Sequence, residues 1–357
     1  MKRYLVTGGA GFVGSNIAFA LKNNFECEVI VLDNLLRRGS ELNLKKFNNY
    51  GIKYIHGDVR NIQDIMQVGN VDYLFECSAE PSVLAGSNGS PRYVIDTNLN
   101  GAINCAEFCR KYNAGMFFLS SSRVYPVREL SSCKYIEKET RFELAEGEQP
   151  FGISKTGMSE NISLNGHKSF YGASKLAAEH ILEEYRITND FPIILNRCGV
   201  IAGPGQFGKI DQGIISFWLA SHFFKTPLAY IGYEGSGKQV RDVLHIDDLI
   251  ELILLQLQNP SAFSKDVFNV GGGNEVSCSL LELTRTCSKL TKNKISISKV
   301  KEQRYGDIPI YISDCSRINK LTNWKPKILL EQILEDYYKW FKDNIDVQGL
   351  MKEVLIH

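Results

Sequence analysis

Short apolar runs recur along the chain, and longer stretches with helical spacing separate them. "RYLVT" leads through a glycine-rich turn into "FVGSNIAFAL", whose apolar positions repeat as on one face of a helix. "CEVIVLD" is a second strand ending at Asp33, and "IKYIHGDVRN" a third running to Asp58 and Val59. "VDYLFECSAE" supplies a fourth and "AGMFFLSSSRVY" a fifth that ends in serines. "SFYGASKLAAEH" opens a helix of good helix formers, and "FPIILNRCGVIAGP" is a later strand closed by a Gly-Pro turn. Near-continuous apolar strands alternating with helices predict an α/β fold with a doubly wound parallel sheet. Ligands of such sheets bind beyond the carboxyl ends of the strands.

Composition narrows the classes. The 357 residues are 44% hydrophobic and 23% charged, with a formal net charge of +1. That gives no field to draw in nucleic acid or an acidic membrane surface, and no run has the length of a membrane span. The apolar stretch after the basic pair Lys2–Arg3 is too short for a signal peptide. The nine cysteines include no C-x-x-C pair. Cys105 and Cys109, at i,i+4 spacing, suit core packing better than metal. The expectation is a reduced, cytoplasmic protein with no metal site.

The chemistry starts at the first turn. Gly8, Gly11 and Gly14 form G-x-x-G-x-x-G between a strand and a helix. Such glycines permit a tight turn and let backbone approach a pyrophosphate seated on the helix N-terminus. Asp33, 19 residues after Gly14, is placed to accept an adenosine ribose 2′-hydroxyl and to repel a 2′-phosphate. This favours NAD over NADP, although Arg37 and Arg38 could hold a phosphate. Farther on, Tyr171 and Lys175 are four apart and share a helical face. An ammonium beside a phenol favours the phenolate, which makes a proton shuttle for an alcohol. Alone, the pair reads equally as an ordinary helix start, and the strand-end serines as turn chemistry.

Together, T-G-G-x-G-F-x-G-S, the acidic residue after the second strand, G-D-V-R, S-S-S-x-V-Y and Y-G-x-S-K resemble the extended short-chain dehydrogenases/reductases. These are the NAD-dependent epimerases and dehydratases of nucleotide sugars. The resemblance implies a Rossmann-type doubly wound sheet with a smaller C-terminal α/β substrate-binding domain. Residues 1–199 and 238–270 would bind NAD; residues 200–237 and 271–357 would bind the sugar nucleotide. It further implies Tyr171 as acid/base, Lys175 as the residue that lowers its pKa and holds the nicotinamide ribose, and Ser121 as the hydrogen-bonding serine. The cofactor set would be Gly8, Gly11, Phe12, Val13, Gly14, Asp33, Asn34, Asp58 and Val59, followed by Ser78, Ala79, Asn98, Tyr171, Lys175 and Cys198.

Substrate contacts are expected from Glu80, Ser122, Arg123, Gln206, Asp211 and Gln212. "GKQVRDVLHIDD" and "RYGDIP" resemble family elements whose arginines grip a diphosphate, here Arg241 and Arg304. "DQG" at 211–213, "GSGKQVRDVLH", "FNVGGG" at 268–273 and the long polar segment between Tyr125 and Tyr171 resemble an epimerase subgroup acting on CDP-sugars. That segment is expected to be an irregular lid. Ser122 and Arg123 stand where the dehydratases carry an Asp-Glu pair. Glu76 and Glu80 replace the His and Gln of the family's H-L-A-x-Q, and Val200 replaces an Asn common in 4-epimerases. Glu80 could be a second acid/base or a hydrogen-bond acceptor. The implied activity is redox-neutral epimerisation of a nucleotide sugar, with a 4-epimerase, dehydratase or decarboxylase as alternatives. The family also implies a homo-oligomer, dimer or tetramer, with an interface made by the helix from Gly172 onward and one presenting Leu99, Ile103, Ala106 and Cys109 along a face that would equally suit an intramolecular core.

Overall fold

A computed structural model describes residues 1–209 and 212–356. The packing divides the chain into two compact units of comparable size. One comprises residues 1–124, 169–197 and 250–267, the other 125–168, 198–249 and 268–357.

The first unit is built on a twisted sheet. Its strands β1 (Lys2–Thr7), β2 (Cys27–Asp33), β3 (Lys53–His56), β4 (Tyr73–Glu76) and β5 (Gly115–Ser121) continue into Ile193–Cys198 and Val267–Val270. The sheet has seven strands in the order 267–270, 193–198, β5, β4, β1, β2, β3. β1 lies parallel to both β2 and β4, as β2 does to β3 and β4 to β5. The reversal of strand order beside β1 is the switch point at which such sheets bind ligands. Helices Gly101–Tyr112 and Phe170–Thr188 cover the sheet. Leu5, Ile30, Leu74, Met116 and Phe118 from the strands pack with Ala106, Phe108, Ala178 and Leu182 from these helices. Each fully buried Leu or Phe side chain contributes roughly 1.5–3 kcal/mol. Cys105 and Cys109 are in this core.

Two boundaries differ from the sequence expectation. The third strand ends at His56, so Asp58 and Val59 lie in the turn beyond it. The fifth ends in its serines as expected, at Ser121, and a 3₁₀ turn, Ser122–Val124, follows. The apolar run expected to form one strand across 191–204 breaks at Gly199 into Ile193–Cys198 and Val200–Ala202. The second piece leaves the large sheet and pairs in parallel with Val243–His245.

In the second unit Val240–His245 is the central strand. Val200–Ala202 and Ile310–Tyr311 pair with it in parallel, and Ser277–Ser279 antiparallel. The segment 125–168, expected to be an irregular lid of the first domain, contains two short hairpins, Tyr135–Glu137 with Phe142–Leu144 and Ile153–Ser154 with Gly157–Met158. Backbone bonds Phe142 N–H to Lys238 O and Met158 N–H to Ile312 O anchor it within the second unit. Arg141 adds a bond to Ser277 Oγ at 2.6 Å. The packing therefore groups 125–168 and 238–249 with the second unit, where the sequence reading placed them in the first. No helix among the described residues is long and apolar enough to cross a membrane.

Candidate active site

The turn after β1 is formed as its glycines require. Gly8 has φ +61°, and a Cβ on it would come within 2.7 Å of the Cys77–Ser78 backbone after β4. A Cβ on Gly14 would come within 2.4 Å of Gly8 O, so only glycine lets helix α1 (Phe12–Asn24) start this close to the strand. Gly11 is the N-cap of α1 and offers no side chain, so Phe12, Val13 and Gly14 form a first turn without a side-chain cap. That helix end carries positive partial charge suited to a phosphate.

Asp33, at the end of β2, accepts from Ala10 N–H at 3.0 Å and Leu35 N–H at 2.8 Å. Burial pushes its carboxyl up, and these backbone donors oppose the shift. Asn43 on α2 (Leu42–Tyr50) braces the turn by donating to Ala10 O at 2.9 Å. A tight glycine turn, an uncapped helix start and a carboxylate at the end of the neighbouring strand suit the pyrophosphate and ribose of NAD.

The other expected cofactor residues fall on adjoining loops. Asn34 donates to Asp58 Oδ2 at 2.9 Å, and Arg60 pairs with the same carboxylate at 2.6 Å. The Arg60 hydrogen bond holds the Asp58 carboxyl down at about 2. Val59 is buried, and its carbonyl accepts from Asn104 Nδ2. Ser78 and Ala79 are half-buried in the loop after β4. Asn98 is tied internally. Its amide exchanges bonds with the Glu80 backbone in both directions, and it donates to Ser174 Oγ at 3.2 Å. It thereby fastens the loop after β4 to the helix bearing Tyr171 and Lys175. Glu80 Oε1 accepts from Ser82 N–H, which shapes the same loop.

Helix Phe170–Thr188 begins at Ser169, whose hydroxyl accepts from Gly172 N–H. Tyr171, half-buried, and Lys175, buried, lie in its first turns. The helix packs against β5 and the 3₁₀ turn after it. Ser121 is buried and accepts from Arg123 N–H at 3.1 Å; Ser122 and Arg123 are half-buried beside it. Two features were not anticipated from sequence. Lys175 Nζ lies 3.5 Å from the buried Glu76 carboxylate and 4.4 Å from the Phe118 ring. One turn on, Glu179 pairs with Arg197 at 2.6 Å and accepts from Ser120 Oγ. The i,i+4 continuation from Lys175 to Glu179 was the available signal for the second.

In the second unit Arg241 is engaged by protein groups. Its guanidinium reaches Asp307 Oδ1 at 3.1 Å, Ile308 O and Val240 O. Arg304 lies in the same loop, where its carbonyl accepts from Asp307 N–H. Asp307 thus bonds the Arg241 guanidinium through its carboxylate and the Arg304 backbone through its N–H. Gln206 braces its own loop, donating to Ile201 O and accepting from Ser216 Oγ. Gln212 pairs with Lys209, Cys198 is buried at its strand's end, and Asp211 lies outside the described residues.

Residues 4–271 match the profile of the NAD dependent epimerase/dehydratase family. The chain is 30% identical to the CDP-paratose 2-epimerase of Salmonella typhi over 95% of its own length and 98% of the relative's. It is 26% identical to the UDP-glucuronate 4-epimerase of Thermodesulfobacterium geofontis, over 97% and 98%. In fold it is similar to the Bacillus cereus UDP-glucuronic acid 4-epimerase solved with UDP-glucuronic acid and NAD. The TM-score is 0.77 at 23% identity, covering 96% of this chain and 99% of that one. The chain belongs to the NAD dependent epimerase/dehydratase family and is an NAD-dependent enzyme.

Proposed function

We propose that the protein epimerises a nucleotide sugar, and that its substrate is CDP-paratose or a close CDP-sugar, altered at C2. The observation that carries this reading is the similarity to CDP-paratose 2-epimerase along nearly the full length of both chains. Ser122 and Arg123, in place of an acidic pair after the catalytic strand, speak against the dehydratase alternative. A 4-epimerase is the second reading, favoured by the similarity to UDP-glucuronate 4-epimerase. Catalysis in the cytoplasm by a homo-oligomer belongs to the same proposal.

In this mechanism Tyr171, as phenolate, takes the proton from the sugar hydroxyl and later returns it. Ser121 hydrogen-bonds the reacting oxygen and so fixes the hydroxyl toward the phenol. Lys175 supplies a positive charge on the same helical face, which favours the phenolate form. The glycine turn and Asp33 hold the dinucleotide, with Gly11 at the pyrophosphate. Arg241 and Arg304 are assigned to the diphosphate of the substrate, a role for which the guanidinium fork is suited. Bound NAD supplies the hydride acceptor and donor, which makes the overall reaction redox neutral.

The test is turnover of CDP-paratose deuterated at C2, followed by NMR. The label should remain at C2 of the epimer. Loss of deuterium to solvent would instead indicate enolisation by a base such as Glu80 and remove Tyr171 from the role. Tyr171→Phe should fold and lower turnover by about 10²–10⁴-fold.

A further inference from the structure

Lys175 stands in an enclosed setting. Its side chain is 3% exposed, and that of its partner Glu76 is 1% exposed. Glu76 is the last residue of β4 and is held in register with Thr7 on β1 and Phe118 on β5. Backbone pairing on both sides therefore fixes where this carboxylate stands. Its Oε2 faces Lys175 Nζ, while its Oε1 is buried with no hydrogen-bond partner among the described residues. Nothing in the strand needs an acid here, and the family resemblance places a histidine at this position.

We propose that Glu76 is a positioning residue for the Tyr171–Lys175 pair: its carboxylate holds the ammonium against β4 and β5 and offsets part of the positive charge that acts on the phenol. The inference rests on the reading of Tyr171 as acid/base and adds a residue to it. An ammonium favours the phenolate, whereas a carboxylate beside that ammonium disfavours it. With water excluded, neither charge is screened as it would be at the surface.

The other groups around the pair leave Glu76 as the opposing charge. Cys105 on helix Gly101–Tyr112 is the further titratable group facing it, and burial together with Glu76 keeps that thiol protonated. β1 contributes the Thr7 hydroxyl, and β5 contributes the neutral ring of Phe118. On the lysine's own helix, the next acid, Glu179, is held by Arg197 and Ser120. Burial raises the Glu76 carboxyl while Lys175 pulls it back.

The test is an ultraviolet phenolate titration of the protein as purified, with the Tyr171 signal isolated by subtracting the Tyr171→Phe variant in each background. In Glu76→Gln the phenol should titrate about one pH unit lower than in wild type. In Glu76→Asp, which keeps the charge, it should titrate near the wild-type value. An unmoved titration in Glu76→Gln would overturn the proposal. If that variant does not accumulate as folded protein, Glu76→His removes the same charge above the imidazole pKa, and an unmoved titration there would equally overturn it. A Tyr171→Phe variant that still turns over CDP-paratose would overturn the acid/base reading and this inference with it. An inactive Tyr171→Phe combined with an unmoved Glu76→Gln titration would overturn this inference alone.

Discussion

Asp58 illustrates what one residue's surroundings do to its charge. Three bonds from Arg60, two from its guanidinium and one from its backbone N–H, and one from Asn34 engage its carboxylate, and its pKa falls to about 2. A carboxyl depressed on folding contributes stability that is present above its unfolded pKa of about 3.9 and is lost as pH falls through the folded value. Solvent reaches both partners, so the contribution stays below about 1 kcal/mol. Denaturant midpoints measured from pH 7 down to about pH 2 should show a smaller acid loss in Asp58→Asn than in wild type. Parallel curves would mean the pair contributes nothing. At this scale, residues whose partners are close in sequence were legible: Tyr171 and Lys175 by spacing, Asp33 by its place after Gly14. The Glu76–Lys175 pair was not. Its members are 99 positions apart, and only the strand register brings them together.

Helix Phe170–Thr188 carries three functional positions on one stripe. Tyr171 and Lys175 bear the proposed chemistry, and Glu179, one turn farther, bonds to β5 through Ser120 and to the strand Ile193–Cys198 through Arg197. This ties the helix to the strand that ends in Ser121. Glu179→Gln would leave the Arg197 guanidinium buried without its counter-charge. Removing one partner of a buried pair costs about 3–5 kcal/mol. Thermal unfolding should show a fall in Tm of roughly four to seven degrees; a fall of about a degree would show that the clamp is dispensable. The helix itself was readable because its helix formers are local. The break at Gly199 was not, since the apolar pattern continues through it and the change of partner strand is a tertiary event. The hairpins in 125–168 escaped notice for a related reason: their strands are two or three residues long, too short for an alternation to register.

For the whole molecule, the alternation of strands and helices announced the parallel sheet, while the weaving of 125–168 into the second unit depends on bonds to residues more than 90 positions away, such as Phe142 N–H to Lys238 O. Assembly is the remaining question at this scale. The sequence suggested an interface between subunits made by two helices, one presenting Leu99, Ile103, Ala106 and Cys109. Ala106 and Cys109 instead lie in the first unit's own core, with Leu99 packed against it, so that face is spent within the chain. On helix Phe170–Thr188, by contrast, Phe170 is 42% and Ile181 39% exposed. Eleven residues apart, they fall on nearly the same line of the helix, with the half-buried Ala177 between them. Two copies of such a stripe can bury one another across a two-fold axis. Sedimentation should therefore find a dimer or tetramer in the wild type, and Ile181→Glu, which puts a charge on the stripe, should shift the population toward monomer without lowering Tm. A wild type that sediments as monomer at all concentrations would remove the idea. An oligomer indifferent to Ile181→Glu would place the interface on another surface.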